Sequence, residues 1–333
     1  LSRRNLFRRA TADREPQPAL LDAIEAYRQL VDISLFSGDI IRLVNSALYA
    51  LNLAERTADP AALGLTYGLM CMMTGAVPGV KLGALYETLT IQQLPLVKTP
   101  ERQLDIAIYL SAYYAGQGNW SKLDTTLQRA VTQSHALHAY RRWGYCQAIW
   151  ASTYIYRGHF SQGLQAWRAL YEQSLASDSF LFILPAWAAG GMALCNVRVG
   201  AWQQAIVCAE QGLSHLLGKG DAIGRARCFV AIAHARFTAG EAQAALNAAD
   251  EARRLLQETR PTNYAALECY AWVTELYLAL WSQHFAKARH GSEQVSTLLC
   301  RESEKPLTTK MLQAKTRGAL QALQRYAHGS CKK

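Results

Sequence analysis

A glycine, a bulky residue about two positions later and then a helix-patterned stretch recur along this chain at an almost constant interval. The copies read SGDIIRLVNSALYAL from Ser37, QGNWSKLDTTLQRAV from Gln117, RGHFSQGLQAWRAL from Arg157, VGAWQQAIVCAEQGL from Val199 and AGEAQAALNAADEARRLL from Ala239. A looser copy, PGVKLGALYETL, begins at Pro78. Their glycines are Gly38, Gly79, Gly118, Gly158, Gly200 and Gly240, spaced by 41, 39, 40, 42 and 40 residues. A period of this size, held over five intervals, belongs to a chain of stacked supersecondary units rather than to one central core.

The residue types at each copy fit a unit of two helices meeting at a tight corner. Glycine supplies the backbone freedom needed just past a helix end. The aromatic after it (Trp120, Phe160, Trp202) opens the second helix and fills the gap between the two. Small residues, Ala84, Gly163, Ala205 and Ala245, then let the helices approach closely. One such pair cannot bury its apolar face alone, so stacking is obligatory. Phe285 with Ala288 reads as a seventh corner that lacks its glycine. The expected fold is all-α, a tetratricopeptide-like helical-repeat solenoid of about seven helix pairs of roughly 40 residues each, longer than the classical repeat of about 34. The expected layout is a basic linker at 1–17, the solenoid at 18–290, and a polar segment at 291–333 ending in a capping helix from about Leu307 to His328.

Composition bounds the partners. Half of the 333 residues are apolar, which excludes disorder for the bulk of the chain. The formal charge is +10 with only 18% charged residues, so acidic partners are permitted but not selected. The eight cysteines (71, 146, 195, 208, 228, 269, 300, 331) form no CxxC pair and sit on helical patterns among small apolar residues. They read as core residues kept reduced in a cytoplasmic protein. The chain opens LSRRNLFRRATADR, with neither a signal peptide nor an initiator methionine, and is expected to be a piece or processed form of something longer. Residues 60–80 and 179–197 carry no charge and match the length of a membrane span. Turn formers interrupt both (Gly75, Pro78 and Gly79; Pro185, Gly190 and Gly191), and the repeat places each on an inner helix, so no membrane contact is expected.

Catalytic patterns are missing. GLSHLLGK, from Gly212 to Lys219, has five residues between its glycines where a phosphate loop needs four, and no Ser or Thr follows the lysine; it reads as a helix end. His135 and His138 share a helix face without a carboxylate or cysteine cluster, and read as solvated or packed rather than metal-binding. There is no GxSxG, HExxH or helix-opening GxGxxG. No catalytic, cofactor or metal residue is assigned, and an enzyme is the least favoured reading.

A helical solenoid binds along its concave face. Counting from the corner glycines, the inward positions are Tyr145, Ser152, Tyr156, Trp187, Arg198, Arg227, His234, Tyr270 and Tyr277. Aromatic and arginine side chains are the types binding surfaces favour. Trp187, Arg198 and Arg227 are expected on the surface of one groove, able to hold a carboxylate or phosphate.

Several segments carry a resemblance. Ala47-Leu-Tyr-Ala-Leu-Asn-Leu-Ala-Glu-Arg56, Arg141-Arg142-Trp143, Arg260-Pro-Thr-Asn-Tyr-Ala-Ala-Leu-Glu268 and Leu278-Ala-Leu-Trp281 resemble the C-terminal tetratricopeptide-repeat region of large bacterial signalling proteins. In those proteins a class III adenylate/guanylate cyclase or protein kinase domain is joined to an AAA-type ATPase and then a helical tail. The resemblance covers roughly residues 20 to 285. It implies a regulatory role; the catalytic motifs of that family lie upstream of such a tail, so no catalytic residue carries over. The sequence therefore points to a non-catalytic module that binds a protein, a peptide or a small acidic effector. The alternative is a nucleic-acid-binding or transcription-regulator repeat domain, suggested by the charge and by Arg3, Arg4, Arg8 and Arg9.

Overall fold

The computed structural model describes residues 18–37, 39–75, 81–176, 183–218, 220–258, 264–289 and 308–330. Within them the chain forms fourteen α-helices, one short 3-10 turn at Leu94–Leu96 and no strand. The helices form seven successive pairs: α1 (Pro18–Ser37) with α2 (Ile40–Ala54), α3 (Pro60–Gly75) with α4 (Leu82–Gln93), α5 (Pro100–Gln117) with α6 (Trp120–Ala136), and α7 (Tyr140–Tyr156) with α8 (Phe160–Ala176). The last three are α9 (Ile183–Arg198) with α10 (Trp202–His215), α11 (Ala222–Thr238) with α12 (Ala242–Glu258), and α13 (Tyr264–Arg289) with α14 (Thr309–Ser330).

Four of the expected corners are described, and all four turn on a left-handed glycine. Gly118, Gly158, Gly200 and Gly240 have φ of 65, 77, 85 and 84°. After each, the next N–H reaches back to a carbonyl of the finished helix, as His159 N does to Tyr154 O at 2.8 Å. Gly38 and Gly79 lie outside the described residues. Gly218, the last glycine of GLSHLLGK, is also left-handed at 69°, closing the end of α10 as a helix end should.

Past each corner the second helix buries one stripe, five, nine and twelve residues after the glycine. Leu123, Leu127 and Ala130 of α6 form it, as do Gly163, Trp167 and Leu170 of α8 and Ala245, Ala249 and Ala252 of α12. This i, i+4, i+7 face is what the pair packs around. In the looser second copy the register slips by one. Ala84 is exposed, and Gly83 makes the close approach instead: a Cβ there would lie 3.0 Å from the Tyr113 ring and 3.3 Å from Gly75 Cα.

The two uncharged stretches become α3 and α9, both heavily buried in the stack. Among the described residues no helix is long and apolar enough to cross a membrane. Pro185 and Gly190-Gly191 do not break α9, contrary to the sequence expectation. Pro185 sits in the first turn, where its missing N–H costs nothing. Gly191 is needed because the Trp167 indole lies against it; an added Cβ would fall 2.3 Å from the ring.

The seventh corner is not at Phe285. Helix α13 runs unbroken through it to Arg289, because no glycine supplies the left-handed turn. The partner of α13 is α14, the helix expected as a cap, with Leu312 and Ala319 buried and Lys315 paired with Asp250 of α12 at 2.7 Å.

Candidate functional site

The first helices of the pairs line the inner face. Helix α3 packs on α5, α5 on α7, α7 on α9, α9 on α11 and α11 on α13, whereas second helices are held apart. The side on which neighbours lie closer is the concave one. Two ion pairs confirm the curvature by joining first helices two repeats apart. Glu25 of α1 meets Arg102 of α5 at 3.1 Å, passing over α3, and Arg198 of α9 meets Glu275 of α13 at 2.7 Å, passing over α11. Helix α3 contributes no charged residue, so α1 and α5 can pair across it.

The first brace belongs to a line of alternating charges: Asp32, Arg28, Glu25, Arg102, Asp105 and Arg142. Arg142 grips Asp105 through both Nε and Nη2, at 2.6 and 3.0 Å. Burial raises the pKa of Glu25, but the hydrogen bonds and charges of Arg28 and Arg102 outweigh it and hold the carboxyl at about 2. Asp32 goes the other way: burial raises its pKa, and Arg28 and Arg141 only partly offset this. Below the line, Leu21, Ile24, Leu65 and Leu69 floor a cleft of ≈ 250 Å³ rimmed by Glu25, Arg28 and Arg102.

Between the braces lies an aromatic strip. Tyr145 of α7 and Trp187 of α9 are both half-buried, with ring centroids 6.2 Å apart. The Arg141 guanidinium sits 5.8 Å from the Tyr145 ring, a cation–π distance. Trp187 Nε1 donates to Asp221 Oδ2 at 2.7 Å, which fixes the indole. Tyr109 of α5 continues the strip toward Asp32 and Arg28; burial first, and Asp32 second, push its phenol pKa up. At the far brace Arg198 donates twice to Glu275 and lies 4.0 Å over the Trp272 ring.

Of the nine sequence-predicted positions, Tyr145, Tyr156, Trp187 and Arg198 retain exposed surface. The other five are corrected, because a first helix is covered by its own partner and by neighbouring helices of the stack. Ser152 is buried and donates to Ala148 O. His234 is buried, with Nε2 at 2.9 Å from the Trp272 carbonyl, and burial lowers its pKa. Tyr270 donates to Leu256 O and Tyr277 to Asp250 Oδ1, both from buried positions. Arg227, expected on the surface, is 6% exposed; its Nη2 stands 3.3 Å from Glu268 Oε2, and its guanidinium 5.2 Å from the Trp167 ring. The Arg227–Glu268 contact is a charge pair without aligned hydrogen bonds, since Arg227 Nε and Nη2 and both Glu268 oxygens lack hydrogen-bond partners.

His135 and His138 do not share a helix face. Helix α6 ends at Ala136, and His138 stands beyond it with φ of 51°. Among the described residues no cluster of His, Cys, Asp and Glu is suited to hold a metal. Six cysteines are described and all are buried; burial pushes the thiols of Cys146, Cys195 and Cys228 up to about 12.

Of the comparisons with known proteins, the one with solved structures agrees with this architecture. No family model matches the sequence, and no curated protein matches it. Among solved structures, a Rap protein complexed with competence and sporulation factor superposes with a TM-score of 0.61 at 11% identity, over 94% of this chain and 90% of the other. NprR in complex with its cognate peptide NprX gives 0.58 at 15%, over 84% and 76%. The apo form of RapI gives 0.53 at 12%, over 93% and 89%. The fold is one shared with Rap and NprR. At these identities the likeness establishes a helical-repeat architecture along nearly the whole chain.

Proposed function

We propose that this chain is a non-catalytic, peptide-binding regulatory module that receives an extended peptide along its inner face. The observation that carries the reading is the strip of Tyr109, Arg141, Tyr145 and Trp187 on three successive inner helices, open between two ion-pair braces. Flat aromatic rings held by Asp221 and Arg141 offer contact area with little entropy left to lose on binding. The solved NprR structure, bound to its cognate peptide NprX, supports a peptide as the class of ligand for this architecture. The sequence resemblance supports the further reading that the module is the cytoplasmic regulatory tail of a larger bacterial signalling ATPase or cyclase.

A polyphosphate partner fits less well. Arg28, Arg102, Arg142 and Arg198 each already face a carboxylate, so the inner arginines are largely neutralised. A small acidic effector meets the same obstacle.

The test is selection of a displayed random-peptide library on the wild-type protein, followed by titration of the enriched peptides. Replacing Tyr145 and Trp187 together with alanine is expected to weaken binding by roughly 30-fold or more while leaving the helical signal intact. An enriched peptide held equally well by the double variant overturns the inner-face assignment, and a library that yields no enriched sequence overturns the peptide reading.

A further inference from the structure

One arginine of the inner face stands apart from the others. Arg28, Arg102, Arg142 and Arg198 are each held by a carboxylate. Arg141 meets no carboxylate at ion-pair distance among the described residues. It is exposed, and its guanidinium lies 5.8 Å from the Tyr145 ring, at one end of the aromatic strip. The position is particular to this helix. Seventeen residues before the corner glycine, where α7 carries Arg141, helices α1, α5, α9 and α11 carry Leu21, Glu101, Ile183 and Ile223.

Near Arg141 stands an acceptor that is also only partly used. Asp32 of α1 is tied to Arg28 through Oδ2, at 3.1 Å, and no hydrogen bond falls on its Oδ1 among the described residues. Burial raises the Asp32 carboxyl, and Arg28 and then Arg141 oppose the rise, so the charge of Arg141 reaches Asp32 without pairing with it. Tyr109 and Tyr145 stand in the field of the same groups: burial pushes both phenols up, and Asp32 adds to the rise. An unpaired cation, an unused carboxylate oxygen and two tyrosine rings thus come together from α1, α5 and α7. Beyond them the ion pairs of Arg28, Glu25 and Arg102 occupy the face, so a ligand lying on the strip ends here.

We infer that this cluster holds the C-terminal residue of the peptide, with the terminal carboxylate on Arg141 and the last amide N–H on Asp32 Oδ1, an inference that rests on the peptide reading above. A planar guanidinium takes a carboxylate through two parallel hydrogen bonds. A C-terminal residue carries that carboxylate and a donor N–H on the same α-carbon, which matches an open donor beside an open acceptor. An acidic side chain carries its nearest amide donor farther away, and a phosphate brings a second negative charge toward Asp32. The peptide then has a fixed direction, its C-terminus at α1 and α7 and its preceding residues over Tyr145 and Trp187 toward Arg198.

The experiment selects random peptides, tethered through their N-termini so that the carboxylate is free, on the complete chain. Each enriched peptide is made as the free acid, the C-terminal amide and the N-acetyl acid, and titrated against wild type, Arg141→Gln and Arg141→Lys. Wild type is expected to lose roughly 10-fold or more on amidation and to be indifferent to N-acetylation. Arg141→Gln is expected to bind acid and amide alike, and Arg141→Lys to keep part of the preference. Both variants should melt as wild type does, because Arg141 is exposed and outside the ion pairs. Equal binding of acid and amide by wild type overturns the inference, and so does an Arg141→Gln variant that still distinguishes them. If such peptides nevertheless require Tyr145 and Trp187, the peptide reading stands and the carboxylate subsite alone falls; if no peptide is enriched, both fall. If Arg141→Gln does not fold, the acid and amide titrations on wild type and Arg141→Lys still decide.

Discussion

Replacing Arg227 with alanine separates the buried from the exposed arginines of the inner helices. The Arg227 and Glu268 side chains are 7% and 5% exposed, on neighbouring first helices. Removing the guanidinium leaves a carboxylate stranded in the core, a change that costs about 3–5 kcal/mol. Arg198→Ala removes a pair whose partners are 31% and 49% exposed, which is worth roughly 0–1 kcal/mol. Urea titrations followed by circular dichroism should therefore show a large loss for the first variant and a small one for the second. A third variant, Arg227→Met with Glu268→Leu, removes both charges and should recover most of the loss. The pH dependence has a definite sign. Burial raises the Glu268 carboxyl above its ordinary 4.5, and Arg227 pulls it back. A group that binds its proton more tightly when folded gives stability that is present below its unfolded value and lost as pH rises toward the folded one. Without Arg227 the rise is larger, so Arg227→Ala should be less damaging near pH 4.5 than at neutral pH. If Arg227→Ala unfolds with wild-type behaviour at neutral pH, the pair is not buried as described.

Three further outcomes follow from the same geometry. Gly158→Val and Gly200→Val should each lower stability by about 1–3 kcal/mol, because a branched side chain is forced into left-handed backbone; at Gly158 an added Cβ meets nothing within 4 Å, so the cost is conformational. Unchanged melting in both would show that these glycines do not make the corners. Gly191→Ala should displace the Trp167 indole and cost about 1–3 kcal/mol, read as a shifted tryptophan emission together with a lower melting temperature. Because the Glu25 carboxyl is held near 2, below its ordinary 4.5, the stability it provides is present above about 4.5 and lost as pH falls toward 2. Glu25→Gln should flatten that part of the acid titration, and an unaltered profile would remove Glu25 from the brace.

The solenoid was legible because its signals are local. A glycine just past a helix end and a small or bulky residue at a fixed offset within the next helix are read within about fifteen residues, and the stack repeats them. Phe285 shows the limit of that reading. It imitates the aromatic of a corner, but the missing glycine was the decisive signal, and the helix continues past it. The inner face was legible only in part. Tyr145, Trp187 and Arg198 keep exposed surface, whereas Arg227, His234 and Tyr277 occupy similar positions in the period and are buried. The period fixes where a residue stands along the repeat, not which of its neighbours covers it. A signal for Arg227 did exist: Glu268, one repeat later, is an isolated acid between Leu267 and Cys269 on an otherwise apolar face. The charge line from Asp32 to Arg142 lies before Tyr145, the first of the inward positions that the sequence marks. Its sequence signature is a charge-free first helix, α3, between two first helices that each carry charges of both signs.

Hydrogen exchange on the complete chain, with and without a library-selected peptide, tests the central claim most directly. The account predicts added protection in α5, α7 and α9, where Tyr109, Tyr145 and Trp187 stand, and little change in the second helices α6, α8 and α10. Protection confined to the second helices, or to the outer face of α1 and α2, would contradict it and move the binding surface off the concave side.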